Sequence, residues 1–332
     1  MLVVEVVVLA LVVGFAAEEA PGFASEIARD LARLRHPSAS GLTLAVSAEV
    51  VSLLAISQVP RWLLRRGGVR LGPVDAVALT LAANGMAIIL PAGAVSSTVW
   101  TAHQYSRRGA RAALATWTVL ASGFASAVTL LAVAIVGALA AHVAGPSLLL
   151  GGSVVFVGAT AGIVALTHRA EGVRRPDHAP LERRWHRLTA RLVTLVGDTA
   201  GQRAGWVTGA AVLVACGVNW LADAACLAAA FWLLRLPVPW HALLLAYAAG
   251  QLAGALVPLP GGLGVVETGM VGVLVALGTP AGPALAVVAV YRAVGYWAPL
   301  LLSVPAYGWA RRHVEPPDSH HDDRRPPLGE AA

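Results

Sequence analysis

The 332-residue chain is 57% hydrophobic and only 13% charged, with a mean hydropathy of +0.71, against the roughly 45–50% apolar usage of a soluble domain. This excludes a soluble globular protein and points to an integral membrane protein. The net charge of +6 rests on 24 basic residues, all arginine, and their grouping between apolar runs reads as membrane topology rather than nucleic-acid binding.

A spanning helix needs about 20 mostly apolar residues. Such runs cover residues 2–17, 41–59, 74–90, 112–141, 147–167, 206–234, 241–257, 263–278 and 283–309. The run 112–141 is apolar on every face, without the alternation of a membrane barrel strand, so the expected fold class is an all-α integral membrane protein. The first run carries Glu5 and lacks a basic leader, so a removed signal peptide is not expected. Residues 22–36 set Phe23, Ile27, Leu31 and Leu34 at helical spacing among charges, the pattern of an interfacial amphipathic helix.

Arginine groups mark cytoplasmic loops. Arg61, Arg65, Arg66 and Arg70 form one group and Arg107, Arg108 and Arg111 the next. The segment between them, 71–106, therefore enters and returns. Its middle supplies the reversal, because Pro91 lacks an N–H and Gly93 tolerates positive φ. The runs 112–141 and 147–167 cross out and back to a loop holding Arg169, Arg174, Arg175, Arg183, Arg184, Arg187 and Arg191. Residues 206–234 cross outward, and the last run ends inside on Arg311 and Arg312. The stretch 236–282 thus starts and ends outside, and its two apolar arms meet at Pro258-Leu259-Pro260-Gly261-Gly262. It reads as a second re-entrant hairpin, entering from the opposite face.

The whole expectation is about six full crossings plus two re-entrant helical hairpins, 71–106 and 236–282. They fall in an inverted repeat of halves 1–145 and 146–312, followed by a disordered cytoplasmic tail at 313–332. Arg29, Arg33, Arg35 and Arg235 fall outside in this topology and Arg292 within the membrane. The location is a bacterial-type inner membrane with the C-terminus cytoplasmic. Trp62, Trp206, Trp240 and Trp309 fall near segment ends, as interfacial anchors do. Cys216 and Cys226 are ten positions apart on one helix, about 15 Å between Cα atoms and too far to bridge.

Non-helical backbone at membrane depth is tolerated only where protein or a watery cavity covers it, so two breaks from opposite faces imply a shared central cavity. In each hairpin the second arm starts at the tip, pointing its free N–H groups and positive dipole end at the midplane. That favours an anion. Gly261, Gly262 and Gly264 let a phosphate approach the backbone, and Gly93 with Ser96 and Ser97 offers the same at the first tip. The alternative is that proline and glycine only shape tight turns. Ionisable groups at depth are costly and usually paired; Glu49, Asp223, Glu267 and Arg292 are the candidates, beside Tyr291. A Glu267–Arg292 pair fits a headgroup site and a purely structural tie equally well. Glu49, Asn84, Asn219, Asp223 and Gln251 are expected as interhelical hydrogen-bond partners, and Gly250, Gly254, Gly205 and Gly209 as close-packing positions. No P-loop, CxxC pair or HExxH occurs, and Gly262-Leu263-Gly264-Val265-Val266-Glu267 fails the dinucleotide pattern. No cofactor or metal is expected; His320-His321-Asp322-Asp323 reads as part of a solvated tail.

The run Pro258 to Glu267, with Tyr291-Arg292 and Tyr296-Trp297-Ala298-Pro299, resembles the transmembrane domain of the lysylphosphatidylglycerol synthase/flippase family. Pro60-Arg61-Trp62-Leu63-Leu64 and Asn84 with Leu90-Pro91-Ala92-Gly93 are similar to its earlier landmarks. The resemblance implies a membrane domain that moves or handles anionic or aminoacylated phospholipids. Members with synthase activity carry a soluble aminoacyltransferase domain after the membrane part, so the expectation here is a stand-alone membrane domain without lysyl transfer. The first hairpin has Ala94-Val95-Ser96-Ser97-Thr98 where such proteins commonly carry a glycine-rich, acidic sequence.

The leading expectation is a flippase-like translocase of anionic phospholipid or a polyprenyl-phosphate type of lipid. Its substrate-binding set is Pro258, Pro260, Gly261, Gly262, Gly264, Glu267, Tyr291 and Arg292, with Asn84, Pro91 and Gly93 from the first hairpin. The rivals are an embedded enzyme on lipid-linked substrates and a non-catalytic partner docking an envelope-synthesis enzyme through the loop 169–191.

Overall fold

The structure is a computed structural model that describes residues 38–90, 93–143, 206–256 and 260–312; every regular element among them is helical. Helix α1 (Ala39–Arg66) is capped by Ser38, whose Oγ accepts from Gly41 N–H, and ends on Arg65 and Arg66, which complement the negative end of the dipole. It continues through Pro60, beyond the expected end of the apolar run. The ring removes one backbone donor, which costs one helical hydrogen bond and does not stop the helix.

Helices α2 (Pro73–Ile89) and α3 (Gly93–Arg107) form a short pair. Pro73 opens α2, where a missing N–H costs nothing. Leu90 ends it in extended backbone, φ −87° and ψ 143°. Trp309 Nε1 donates to Asp75 near the start of α2 at 3.1 Å, and Arg108, just past α3, donates to Ala310 O at 3.0 Å. Both ends of the pair therefore meet the same turn of the C-terminal helix. Burial draws the Arg108 guanidinium below its usual range, with neighbouring Asp75 opposing the shift.

Helix α4 (Ala112–Ala140) and helix α5 (Trp206–Leu233) follow. α5 lies antiparallel along α1: Ser38 N donates to Leu233 O at 3.2 Å, Ser52 Oγ to Asn219 Oδ1 at 3.1 Å, and Arg66 Nε to Thr208 Oγ1 at 2.8 Å. Gly41 makes this approach possible, since a Cβ there would lie 2.6 Å from the Leu233 backbone. Trp220 Nε1 ties α5 to Ser126 O of α4 at 2.9 Å.

The second short pair is α6 (Trp240–Leu256) and α7 (Val265–Ala276), joined through a 3-10 turn at Pro260–Gly262. Gly254 meets Val266, Gly250 meets Met270, and the His241 ring lies 3.2 Å from Leu277 O, so the arms run antiparallel. Gly250 and Gly269 are in backbone contact, the close approach that small residues permit. Helix α8 (Ala281–Arg292), a π segment (Ala293–Trp297) and α9 (Ala298–Arg312) make one continuous span.

Among the described residues four helices are long and apolar enough to cross a membrane: Ala39–Arg66, Ala112–Ala140, Val207–Leu233 and Ala281–Arg312. Pro73–Ile89 and Val265–Ala276 are apolar but shorter. The expected crossings at 2–17 and 147–167, the amphipathic stretch 22–36, the loop 169–191 and the tail lie outside the described residues. The main core gathers Leu227, Phe231, Tyr247, Met270 and Val287 where α5 to α8 meet, while Val95, Val214 and Leu301 remain exposed on the periphery, as a lipid-facing surface requires. Cys216 and Cys226 are free and buried.

Candidate functional site

The break between α6 and α7 turns on three glycines with left-handed backbone, Gly261 (φ +62°), Gly262 (φ +63°) and Gly264 (φ +78°). A Cβ on Gly261 would fall 1.9 Å from Tyr296 Oη and one on Gly262 would fall 2.8 Å from Val266 Cγ2, whereas nothing among the described residues lies within 4 Å of the Gly264 position. Gly264 is the N-cap of α7 and supplies no side-chain cap. The first N–H groups of α7 thus start directly after a glycine, at the positive end of the helix.

Arg292, the last residue of α8, is brought to this tip. Its Nε is 2.6 Å from Glu267 Oε1 in the first turn of α7, its Nη2 donates to Gly261 O at 3.1 Å, and its Cζ stands 3.9 Å from the Tyr296 ring centroid. The two charged side chains are 11% and 23% exposed, so the pair is largely withdrawn from solvent. Glu267 Oε2 is buried and has no hydrogen-bond partner among the described residues. The π segment begins directly after Arg292. Its wider turn carries Tyr296 under the guanidinium and against Gly261, a placement typical of π-bulges near functional groups.

A second polar group lies on the other side of the π segment. Tyr247 Oη donates to Asp223 Oδ2 at 2.8 Å, and Gln251 Nε2 donates to the same oxygen at 3.3 Å and to Tyr291 Oη at 3.2 Å. The Cβ position of Gly295 is 3.4 Å from Glu49 Oε2 and 3.6 Å from Asp223 Oδ1, so acids from α1 and α5 converge on one glycine. Glu49 Oε2 is buried without a hydrogen-bond partner among the described residues. A band of polar side chains therefore runs from Glu49 through Asp223, Gln251 and Tyr291 to Arg292 and Glu267.

The family model for the lysylphosphatidylglycerol synthase TM region matches residues 2–303. The chain belongs to this family. Membership and the apolar helices together make it a multi-pass membrane protein, and the family's name suggests a function connected with membrane lipids. No curated protein matches the chain.

The first break is less equipped than the second. Gly93 is buried, and a Cβ there would lie 2.1 Å from Ala87 O, so the start of α3 packs directly on the end of α2. Ser97 Oγ donates to Ala94 O at 3.1 Å and Thr98 Oγ1 to the same oxygen at 2.7 Å; both hydroxyls are spent on their own helix. Pro91 and Pro258 lie outside the described residues, and Pro260 opens the 3-10 turn. Asn84 is exposed and makes no hydrogen bond among the described residues. Helix α2 does touch the Pro260–Gly262 turn, which brings the first pair against the second tip. Sequence reasoning missed Tyr247 as the main donor to Asp223; its signal was the four-residue spacing to Gln251, which sets both on one helix face.

Proposed function

We propose that this membrane domain is a translocase of anionic phospholipids or lipid-linked anions whose headgroup phosphate is received at the second tip. In this reading α2–α3 and α6–α7 are re-entrant hairpins of an inverted repeat. The support is that one pair closes on the end bearing Arg61, Arg108 and Arg311, and the other on the end bearing Leu233 and Leu277. The arginine-rich end is cytoplasmic by the positive-inside rule, as is the C-terminus.

The observation that carries the reading is the position of Arg292. A cation at membrane depth is held against the Gly261–Gly264 backbone by one carboxylate, Glu267 Oε1, one carbonyl and one aromatic face. A phosphate is a better bidentate partner for guanidinium than a single carboxylate oxygen, and the α7 N–H groups add donors on the same side. Glu267 occupies the site in the resting state and yields to the phosphate, and rocking of the two halves changes which leaflet it faces.

The test is movement of fluorescent phosphatidylglycerol between leaflets of proteoliposomes holding the full chain, read by dithionite quenching. Lipid movement above the protein-free rate supports the reading. Movement absent in a folded preparation, with changed lipid composition in cells lacking the protein, points instead to an enzyme on lipid-linked substrates.

A further inference from the structure

An apolar groove opens between α1, α5 and α6 at the end of α5 away from Arg66. It has a cavity volume of about 300 Å³ and aliphatic walls from Leu44, Leu221, Ala225, Leu243 and Leu244. Trp232 and Trp240 close its rim, edge to face with centroids 6.0 Å apart, and both are exposed. Arg235 follows directly on the rim: its N–H donates to Trp232 O at 3.0 Å and its φ is +56°.

Three features bear on an occupant. First, Arg235, Trp232 and Trp240 are exposed residues, and the Arg235 guanidinium and both indole N–H groups make no hydrogen bond or ion pair among the described residues. All are donors with no acceptor capacity. Second, none of the described carboxylates, Glu49, Asp75, Asp223 and Glu267, lines the groove. Third, Arg66 meets Thr208 at the opposite end of α5, whose 28 residues span about 40 Å, more than the hydrocarbon thickness of a bilayer. Arg235 is thus an arginine on the face where the positive-inside pattern disfavours one. An acceptor-only phosphate above an acyl chain complements each feature.

We propose that this groove binds one acyl chain of an anionic phospholipid, with Arg235 and the indole N–H groups of Trp232 and Trp240 meeting its phosphate, in the leaflet opposite the arginine groups. As one end of a lipid path it rests on the translocase reading, but the site is testable without transport.

The full chain is placed in phosphatidylcholine nanodiscs with trace phosphatidylglycerol carrying a diazirine on its acyl chain, and labelled peptides are mapped after illumination. Labelling is expected on peptides containing Leu221 and Leu244. Unlabelled phosphatidylglycerol should displace it about tenfold more effectively than phosphatidylcholine, a ratio within reach of a charge-assisted hydrogen bond. Arg235→Gln, at an exposed position, should abolish that ratio, and Ala225→Trp should reduce labelling by filling the groove. Equal displacement by the two lipids, meaning annular lipid only, or a ratio that survives Arg235→Gln, overturns the proposal. Selective labelling by a chain that moves no lipid between leaflets upholds the groove and removes the translocase reading instead.

Discussion

Arg292 and Glu267 face each other at 2.6 Å across the joint between α8 and the first turn of α7. The pair joins the last crossing to the return arm of the second break. It also sets a competition, because the carboxylate that satisfies the cation occupies the place a phosphate needs. Glu267→Gln keeps the shape and removes the competitor. The variant is expected to be less stable alone, since a buried charge loses its partner, yet to gain more from anionic lipid. Thermal unfolding in detergent with and without phosphatidylglycerol checks this: the lipid-induced rise in Tm should be larger in Glu267→Gln than in the natural chain, and a smaller rise contradicts the competition.

Gly261 has no room for a methyl group, as the Cβ position is 1.9 Å from Tyr296 Oη and its φ is +62°. Gly261→Ala should lower stability by about 1–3 kcal/mol, combining left-handed strain with displacement of Tyr296 from beneath Arg292. Gly264→Ala carries the strain alone, because its Cβ position is open among the described residues. The check is the difference in Tm between the two variants, with Gly261→Ala the lower.

Asp223 accepts from both Tyr247 and Gln251. Tyr247→Phe and Asp223→Asn should each destabilise, and the double variant by less than the two together, with a coupling of about 0.5–3 kcal/mol as expected for residues in one hydrogen-bond network. Unfolding of all four members of the cycle measures it, and additive effects would place the two residues in independent environments.

Gly137 in α4 meets the backbone of Leu245 in α6, with a Cβ position 2.5 Å from the Leu245 nitrogen, whereas Gly123 in the same helix has nothing within 4 Å among the described residues. With that space open among the described residues, Gly123→Ala should be neutral or stabilise by up to about 1 kcal/mol through helix propensity. Gly137→Ala should destabilise, because two helices must move apart. Paired thermal scans separate the two outcomes.

Much of this was legible in the sequence because the relevant costs are local. Pro91 with Gly93 and Pro260-Gly261-Gly262 stood out as breaks because proline and glycine cluster there, whereas a lone proline such as Pro60 stays within its helix. Glu267 and Arg292 stood out because charge at membrane depth demands a partner. Other features depend on tertiary placement. The fit of Tyr296 against Gly261 needs the π segment, which shifts the face of every later residue and leaves no mark in the hydrophobic pattern. The convergence of Glu49 and Asp223 on Gly295 joins three helices far apart in sequence. Asn84 shows the converse: α2 is apolar almost all round, so its sequence does not fix which way it is rotated, and this side chain stands exposed.

The most direct test of the central proposal is the rate of phosphatidylglycerol movement in proteoliposomes for the natural chain, Arg292→Lys and Arg292→Gln, each verified as folded by its Tm. The expected order is natural chain, then Arg292→Lys, which keeps the charge but loses the planar fork, then Arg292→Gln reduced at least about tenfold, the loss of one strong charge-assisted interaction. Equal rates in all three, or no movement above protein-free vesicles, would contradict a phosphate-receiving site at Arg292.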